Sequence, residues 1–211
     1  MNAYAETISS LLSQTHIDAI NIPEVHDEVG RGERPVSNQE RGEPRKFGML
    51  LQDIVGIEAI VNRVVVHMPL KKQMEWIQET YSKYEIDNLI IVGGESSKQK
   101  YPGPTVNESL EKISQDNRRL ENSILCGGIC IPSRKKESKN LIRKSECGAE
   151  FFTTQVLCDS DNIIKMIKNY QERCDKVNTF PRRILLSFAP VSSQKNINFL
   201  KCVAAKWRMS L

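Results

Sequence analysis

Six short runs in this chain are apolar on both faces instead of alternating with polar positions. They are Asp18–Val25, Arg63–Met68, Asn88–Val92, Ser123–Ile131, Ala149–Leu157 and Arg183–Pro190. Runs of this length and pattern predict strands of a parallel sheet, covered on both sides. The segments between them carry apolar residues at helical spacing. Phe47, Leu50, Leu51, Ile54 and Val55 share one face, as do Met74, Ile77 and Tyr81. Val106, Leu110 and Ile113 repeat the spacing, followed by Leu141 with Ile142, and then by Ile163, Ile164 and Ile167. An opening helix is expected over Ala3–Leu12 and a last one over Asn196–Ala205.

Strict alternation of helix and strand makes this an α/β protein with a parallel sheet. Two architectures satisfy it, an open doubly wound sheet and a (β/α)8 TIM-barrel-like fold. Set against a typical barrel of about 250 residues, the 211 residues here read as a single, incomplete barrel domain over residues 1–211. The first and last strands are the ones expected to be missing. Glu28–Lys46 is polar and rich in Gly, Pro, Arg and Glu, so it reads as a long excursion after the first strand, on the face where active sites are built.

Composition narrows the classes of function. Lys+Arg 30 against Asp+Glu 26 gives a formal net charge of +4, too mild for a protein that binds nucleic acid over its whole surface. No apolar run approaches the roughly 20 residues of a membrane helix, and the N-terminus lacks a signal core. The six cysteines, Cys126, Cys130, Cys147, Cys158, Cys174 and Cys202, sit mostly in apolar surroundings. They are expected to be reduced thiols of a cytoplasmic protein. Three residues separate Cys126 from Cys130 and no second pair follows, so no metal site is expected.

In a parallel α/β fold, ligands meet the carboxyl ends of the strands. The first run ends in Glu24, His26, Asp27 and Glu28, which read either as a solvated acidic loop or as a polar cluster facing substrate. The second ends in His67, either a hydrogen-bonded core residue or a donor to a bound ring. The third ends in Gly93–Gly94–Glu95, where paired glycines let backbone approach a ligand, though Gly-Gly also makes ordinary turns. After the fourth, Arg134, Lys135, Lys136, Lys139, Arg143 and Lys144 read as a solvated helix face or as cations for a diphosphate. The fifth ends in Thr154–Gln155, and a carboxamide that donates and accepts at once suits the amide-like edge of a heterocycle.

Several of these stretches resemble the methylenetetrahydrofolate reductases, in particular a short, divergent branch of that family. LIRKSECGAEFFTTQVLCD (Leu141–Asp159) is similar to its sixth-strand region, with a helix Lys, a Gly-Ala-acid turn and a terminal Thr-Gln. DAINIPEV (Asp18–Val25) resembles its second strand, DNLIIVGGESS (Asp87–Ser97) its fourth, GGICIPSR (Gly127–Arg134) its fifth and ILLSFAPVSSQKNINFL (Ile184–Leu200) its seventh. The resemblance implies a flavin-binding barrel that passes a hydride through FAD, with FMN as the alternative, to a methylene-tetrahydropterin. The carrier is a tetrahydrofolate or a methanopterin relative, and the donor a nicotinamide or a ferredoxin. It implies that His67, Gly93, Gly94, Glu95, Arg134 and Lys144 meet the flavin and that Thr154 and Gln155 meet the pterin. The family's catalytic glutamate lies on a strand with no counterpart before Asp18, Ile131 replaces an aromatic before Pro132, and Glu95 replaces an aspartate. A non-catalytic pterin- or flavin-binding or subunit-interaction module is therefore the alternative. The open edges of a shortened barrel predict a homo-oligomer or a partner subunit. Nucleic-acid binding through Arg134–Lys144 is a third reading, unsupported by interleaved aromatics.

Overall fold

The computed structural model describes residues 2–12, 15–24, 42–94, 99–157 and 159–198. Glu95, the loop residues His26, Asp27 and Glu28, Cys158, Cys202 and the segment after residue 198 lie outside the described residues. The chain divides into two compact units, Met1–Cys126 and Gly127–Leu211.

The first unit opens with α1 (Asn2–Leu12) and continues through β1 (Ala19–Ile22), α2 (Pro44–Val55), β2 (Glu58–Val64), α3 (Leu70–Tyr84), β3 (Asn88–Val92) and α4 (Val106–Leu120). Its strands are parallel and lie in chain order, with Asn21 opposite Ile60 and Asn62 opposite Ile90. The start of β4 (Leu125–Cys130) is anchored here by a hydrogen bond from Leu125 N to Asp87 O. In the second unit β4 continues, followed by α5 (Glu137–Glu146), β5 (Phe151–Val156), α6 (Ser160–Lys176) and β6 (Arg183–Ser187). These strands too are parallel and in chain order. Neither unit contains the order reversal that a doubly wound sheet requires. Six parallel strands alternating with helices make the fold α/β, in the winding order of an incomplete barrel.

The helix boundaries have local causes. Glu43 caps α2 by accepting from Arg45 N, Pro44 stands in its first turn, and Gly56 closes it in the left-handed conformation. A capping box starts α4: Glu108 N donates to Thr105 Oγ1 and Thr105 N donates to Glu108 Oε2. Those bonds hold the Glu108 carboxyl below its usual range. Asp159 starts α6 by accepting from Asp161 N. Residues 194–198 are helical, which overlaps only the start of the expected last helix.

One expected strand is misplaced. β2 covers Glu58–Val64, and Val65–His67 forms a single 3-10 turn, whereas the apolar run pointed to Arg63–Met68. The strand alternates buried and half-buried positions through Asn62 and Arg63, and those two polar residues hide it from a search for apolar runs. Ala59, Val61 and Arg63 face the helices. A Cβ on Gly48 of α2 would stand 3.1 Å from Ala59 Cβ and 3.3 Å from Ile22 Cδ1, so α2 lies flat on this side of the sheet. Ile60, Asn62 and Val64 therefore occupy the opposite, inner face.

Arg63 is buried in the helix layer of the first unit, and its charge is met from several directions. Its Nη1 donates to Glu24 Oε1 at 2.5 Å, its Nε donates to Gln73 Oε1, and its guanidinium stacks on Trp76 at 4.2 Å. Glu24 also accepts from Val64 N, and Gln73 donates to Val65 O. The end of β1, the end of β2 and α3 are thus tied to one cation. Arg45 of α2 stacks on Trp76 and Tyr84 and pairs with Glu43 and Glu79.

Removing one member of a buried ion pair strands the other. Glu24→Ala is expected to cost about 3 kcal/mol of folding free energy, read as a lower urea midpoint. A loss under about 1 kcal/mol, the range of exposed pairs, would contradict this role.

Candidate functional site at the strand ends

In the first unit, the ends of β2 and β3 bring three candidate residues together with one that sequence reasoning missed. His67 follows β2, and its ring meets Tyr101 edge-on at 5.7 Å. Tyr101, from the segment between β3 and α4, also covers the backbone of Gly94: a Cβ there would fall 2.3 Å from the tyrosine ring. Gly93 lies beside Val106 at the start of α4. Gly103 brings the same segment onto the 3-10 turn, donating to Val66 O, with room for no side chain. The glycine pair is thus needed for close approach, and what approaches Gly94 is Tyr101.

Asn62 is the other residue missed. It stands on the inner face of β2, and its Oδ1 is buried with no hydrogen-bond partner among the described residues. The signal lay in the alternation Ile60, Asn62, Val64, which a search for unbroken apolar runs passes over. Among the described residues, Glu24 after β1 is engaged by Arg63 and Val64 N, and Glu58 at the start of β2 accepts from Asn88 Nδ2.

In the second unit, the turn after β4 carries Arg134 and leads into α5. Glu137 lies beneath it, with its side chain only 1% exposed, and accepts from Ile131 N at 2.9 Å and Asn140 Nδ2 at 3.0 Å. Arg134 Nη1 pairs with it at 3.3 Å, and Lys144 Nζ stands 3.9 Å away. Lys144 donates to Ile129 O, and its stem passes Gly128, whose register partner Phe152 packs against Tyr170 of α6. The Lys144 side chain therefore lies on the helix side of β4 and braces α5 against the sheet. Burial lowers its pKa, against the opposing pull of Glu137.

β5 ends on an irregularity. Thr153 pairs with Leu185 but Val156 with Ser187, so one extra residue is inserted on β5 at Thr154–Gln155. Thr154 is spent on β6: its Oγ1 accepts from Ser187 N and its carbonyl from Ser187 Oγ. Gln155 is half-buried, and none of the described residues hydrogen-bonds its carboxamide.

These positions bear on a flavin diphosphate. Lys144 is committed to a main-chain carbonyl on the helix side, Arg134 is paired with Glu137, and Gly94 is covered by Tyr101. The described residues so placed do not by themselves fit that group. Among the described residues there is also no group of three or more His, Cys, Asp or Glu able to hold a metal, and no helix long and apolar enough to cross a membrane.

No protein-family model matches the chain, and no curated protein matches it. Among solved structures, the chain is similar to an uncharacterized protein from Clostridium thermocellum that binds two copies of 5-methyl-5,6,7,8-tetrahydrofolic acid. The TM-score is 0.71 at 18% identity, over 96% of this chain and 64% of that one. This chain thus spans less than two thirds of that protein's length, and the likeness shows a shared fold. Oxaloacetate acetylhydrolase (TM-score 0.46, 11% identity, 77% of this chain and 65% of that one) is a more distant match. So is 2,3-dimethylmalate lyase (0.47, 9%, 78% and 64%).

Two measurements check the second unit. Burial, reinforced by Glu137, pushes the fully buried Cys130 thiol up to about 12. At pH 8 only about one part in ten thousand is thiolate, so iodoacetamide should leave Cys130 unmodified until the protein unfolds. Labelling at the rate of a free thiol would refute the placement. For Lys144, the native state releases its proton before the unfolded chain does, whose lysine titrates near 10.5. The stability of wild type relative to Lys144→Met should therefore rise as pH climbs toward that value. A difference that is flat or falls with pH contradicts it.

Proposed function

We propose that this chain binds a tetrahydropterin one-carbon carrier of the tetrahydrofolate class at its strand ends. The observation that carries the reading is Asn62 Oδ1, a buried acceptor on the inner face of β2 with no partner among the described residues. Leaving such a group unsatisfied costs about 1–3 kcal/mol, and a ligand donor removes that cost. The 2-amino-4-oxo edge of a pterin offers N–H donors beside a carbonyl acceptor, the complement of a carboxamide. The fold shared with a protein that binds 5-methyltetrahydrofolate supports the same class.

A binding role is favoured over reduction because, among the described residues, the strand-end carboxylate Glu24 is engaged by Arg63 and Val64 N and does not stand ready as the acid that would protonate a pterin nitrogen. Flavin-mediated hydride transfer is the second reading. The spacing Lys144, Gly148–Ala149, Thr154–Gln155 favours it, and the placement of Lys144 and Arg134 does not. Closure of the barrel by a second copy or a partner subunit belongs to the proposal as well. Leu185 and Leu186 of β6 are 41% and 43% exposed, and Phe188 beyond it is 71% exposed.

Calorimetric titration with 5-methyltetrahydrofolate tests the reading. Saturable binding is expected, weakened at least tenfold, about 1.4 kcal/mol, by Asn62→Leu. The variant should keep or raise the unfolding midpoint, because it removes an unsatisfied polar group. Absence of binding, or unchanged affinity in a folded variant, overturns the proposal. A yellow protein with flavin absorbance, or one that takes up added FAD stoichiometrically, would move the choice to the second reading.

A further inference from the structure

The second unit holds a cleft that the pterin reading does not use. It has a volume of about 440 Å³ and runs between the turn leading into α5 and one flank of α6. That volume lies within the range of small-molecule sites. Arg134, Lys135 and Lys136 line it from the turn. Lys165, Asn169 and Arg173 line it from α6, where a spacing of four residues puts them on one stripe. Arg173 Nε donates to Ser138 Oγ at 3.0 Å, which fixes the stripe against the first turn of α5.

The charge of this cleft is uncompensated. Glu137 is its one carboxylate, and both of its oxygens are already engaged, by Ile131 N on one side and by Asn140 and Arg134 on the other. Lys135, Lys136, Lys165 and Arg173 have no acidic partner among the described residues. Lys136 precedes α5 in the left-handed conformation (φ 66°) and gives the helix no side-chain cap. For a long side chain that conformation carries strain of about 1 kcal/mol or more. It adds the positive end of a ten-residue helix to the same cleft. The lining contains no aromatic ring on which a base could stack.

We infer that this cleft is a binding site for a small, multiply charged phosphate compound, distinct from the Asn62 carboxamide on which the pterin reading rests. Four unpaired cations on two elements match two adjacent phosphate groups. The lack of a stacking platform favours a compact polyphosphate group over single-stranded nucleic acid. The inference is independent of pterin binding, since none of the strand-end residues in that proposal line the cleft.

The probe is inorganic pyrophosphate, titrated calorimetrically into the full chain, with inorganic phosphate as the singly phosphorylated comparison. Expected are saturable pyrophosphate binding, tighter than phosphate, and affinity that falls steeply with salt. Lys165→Gln with Arg173→Gln should weaken it at least tenfold, while Lys72→Gln on α3 leaves it unchanged. Lys165→Gln alone, which breaks no hydrogen bond among the described residues, should weaken it severalfold and keeps the test readable if loss of Arg173 loosens α5 from α6. No binding at millimolar pyrophosphate overturns the inference. So does binding indifferent to Lys165→Gln in a folded protein, or tighter binding of a single-stranded oligonucleotide competing for the same residues.

Discussion

Each unit buries a cation beside a carboxylate that also bonds the end of a strand. In the first unit Glu24 accepts from the Arg63 guanidinium and from Val64 N. In the second, Glu137 stands beside Lys144 and accepts from Ile131 N. An isolated charge so buried would cost several kcal/mol, so these residues are fixed to within hydrogen-bond tolerances. Their positions set where the strands stop and where the following turns begin. The strand ends, which carry the ligand chemistry of this fold class, therefore rest on two charge clusters whose bonds run to one another and to main chain.

That division separates residues that hold the site from residues that present it. Glu24, Arg63, Gln73, Glu137 and Lys144 are charged or polar, close to strand ends, and easily mistaken for ligand contacts. Their bonds run to one another and to main chain. Asn62 and Gln155 have no such commitments among the described residues. Both carry carboxamides, which recognise heterocycle edges without adding a charge to the sheet interior.

Much of the fold was legible in the sequence. β3 falls where its five-residue apolar run lies, and β4 and β5 lie within theirs. The reason is physical: these strands are buried over most of their length, so most of their positions are apolar or small. β2 was misread because Asn62 and Arg63 break its apolar pattern, one facing inward and the other paired to Glu24 from a residue 39 positions earlier. No local pattern announces a partner that distant. The site was legible only in part. Gly94 was singled out as a place where backbone approaches a ligand, and the sequence does not reveal that the Tyr101 ring stands against it. Lys144 has the spacing of a ligand residue, and only three-dimensional placement shows its ammonium turned to Ile129 O.

The central claim is that Asn62 offers its carboxamide to a pterin edge. The side-chain amide resonances of Asn62, followed by nitrogen–proton correlation spectra through a titration with 5-methyltetrahydrofolate, examine it without altering the protein. The account predicts a saturable shift of the Asn62 side-chain pair, with the midpoint found by calorimetry. Saturating ligand that leaves those resonances where they began, while moving others, would contradict it.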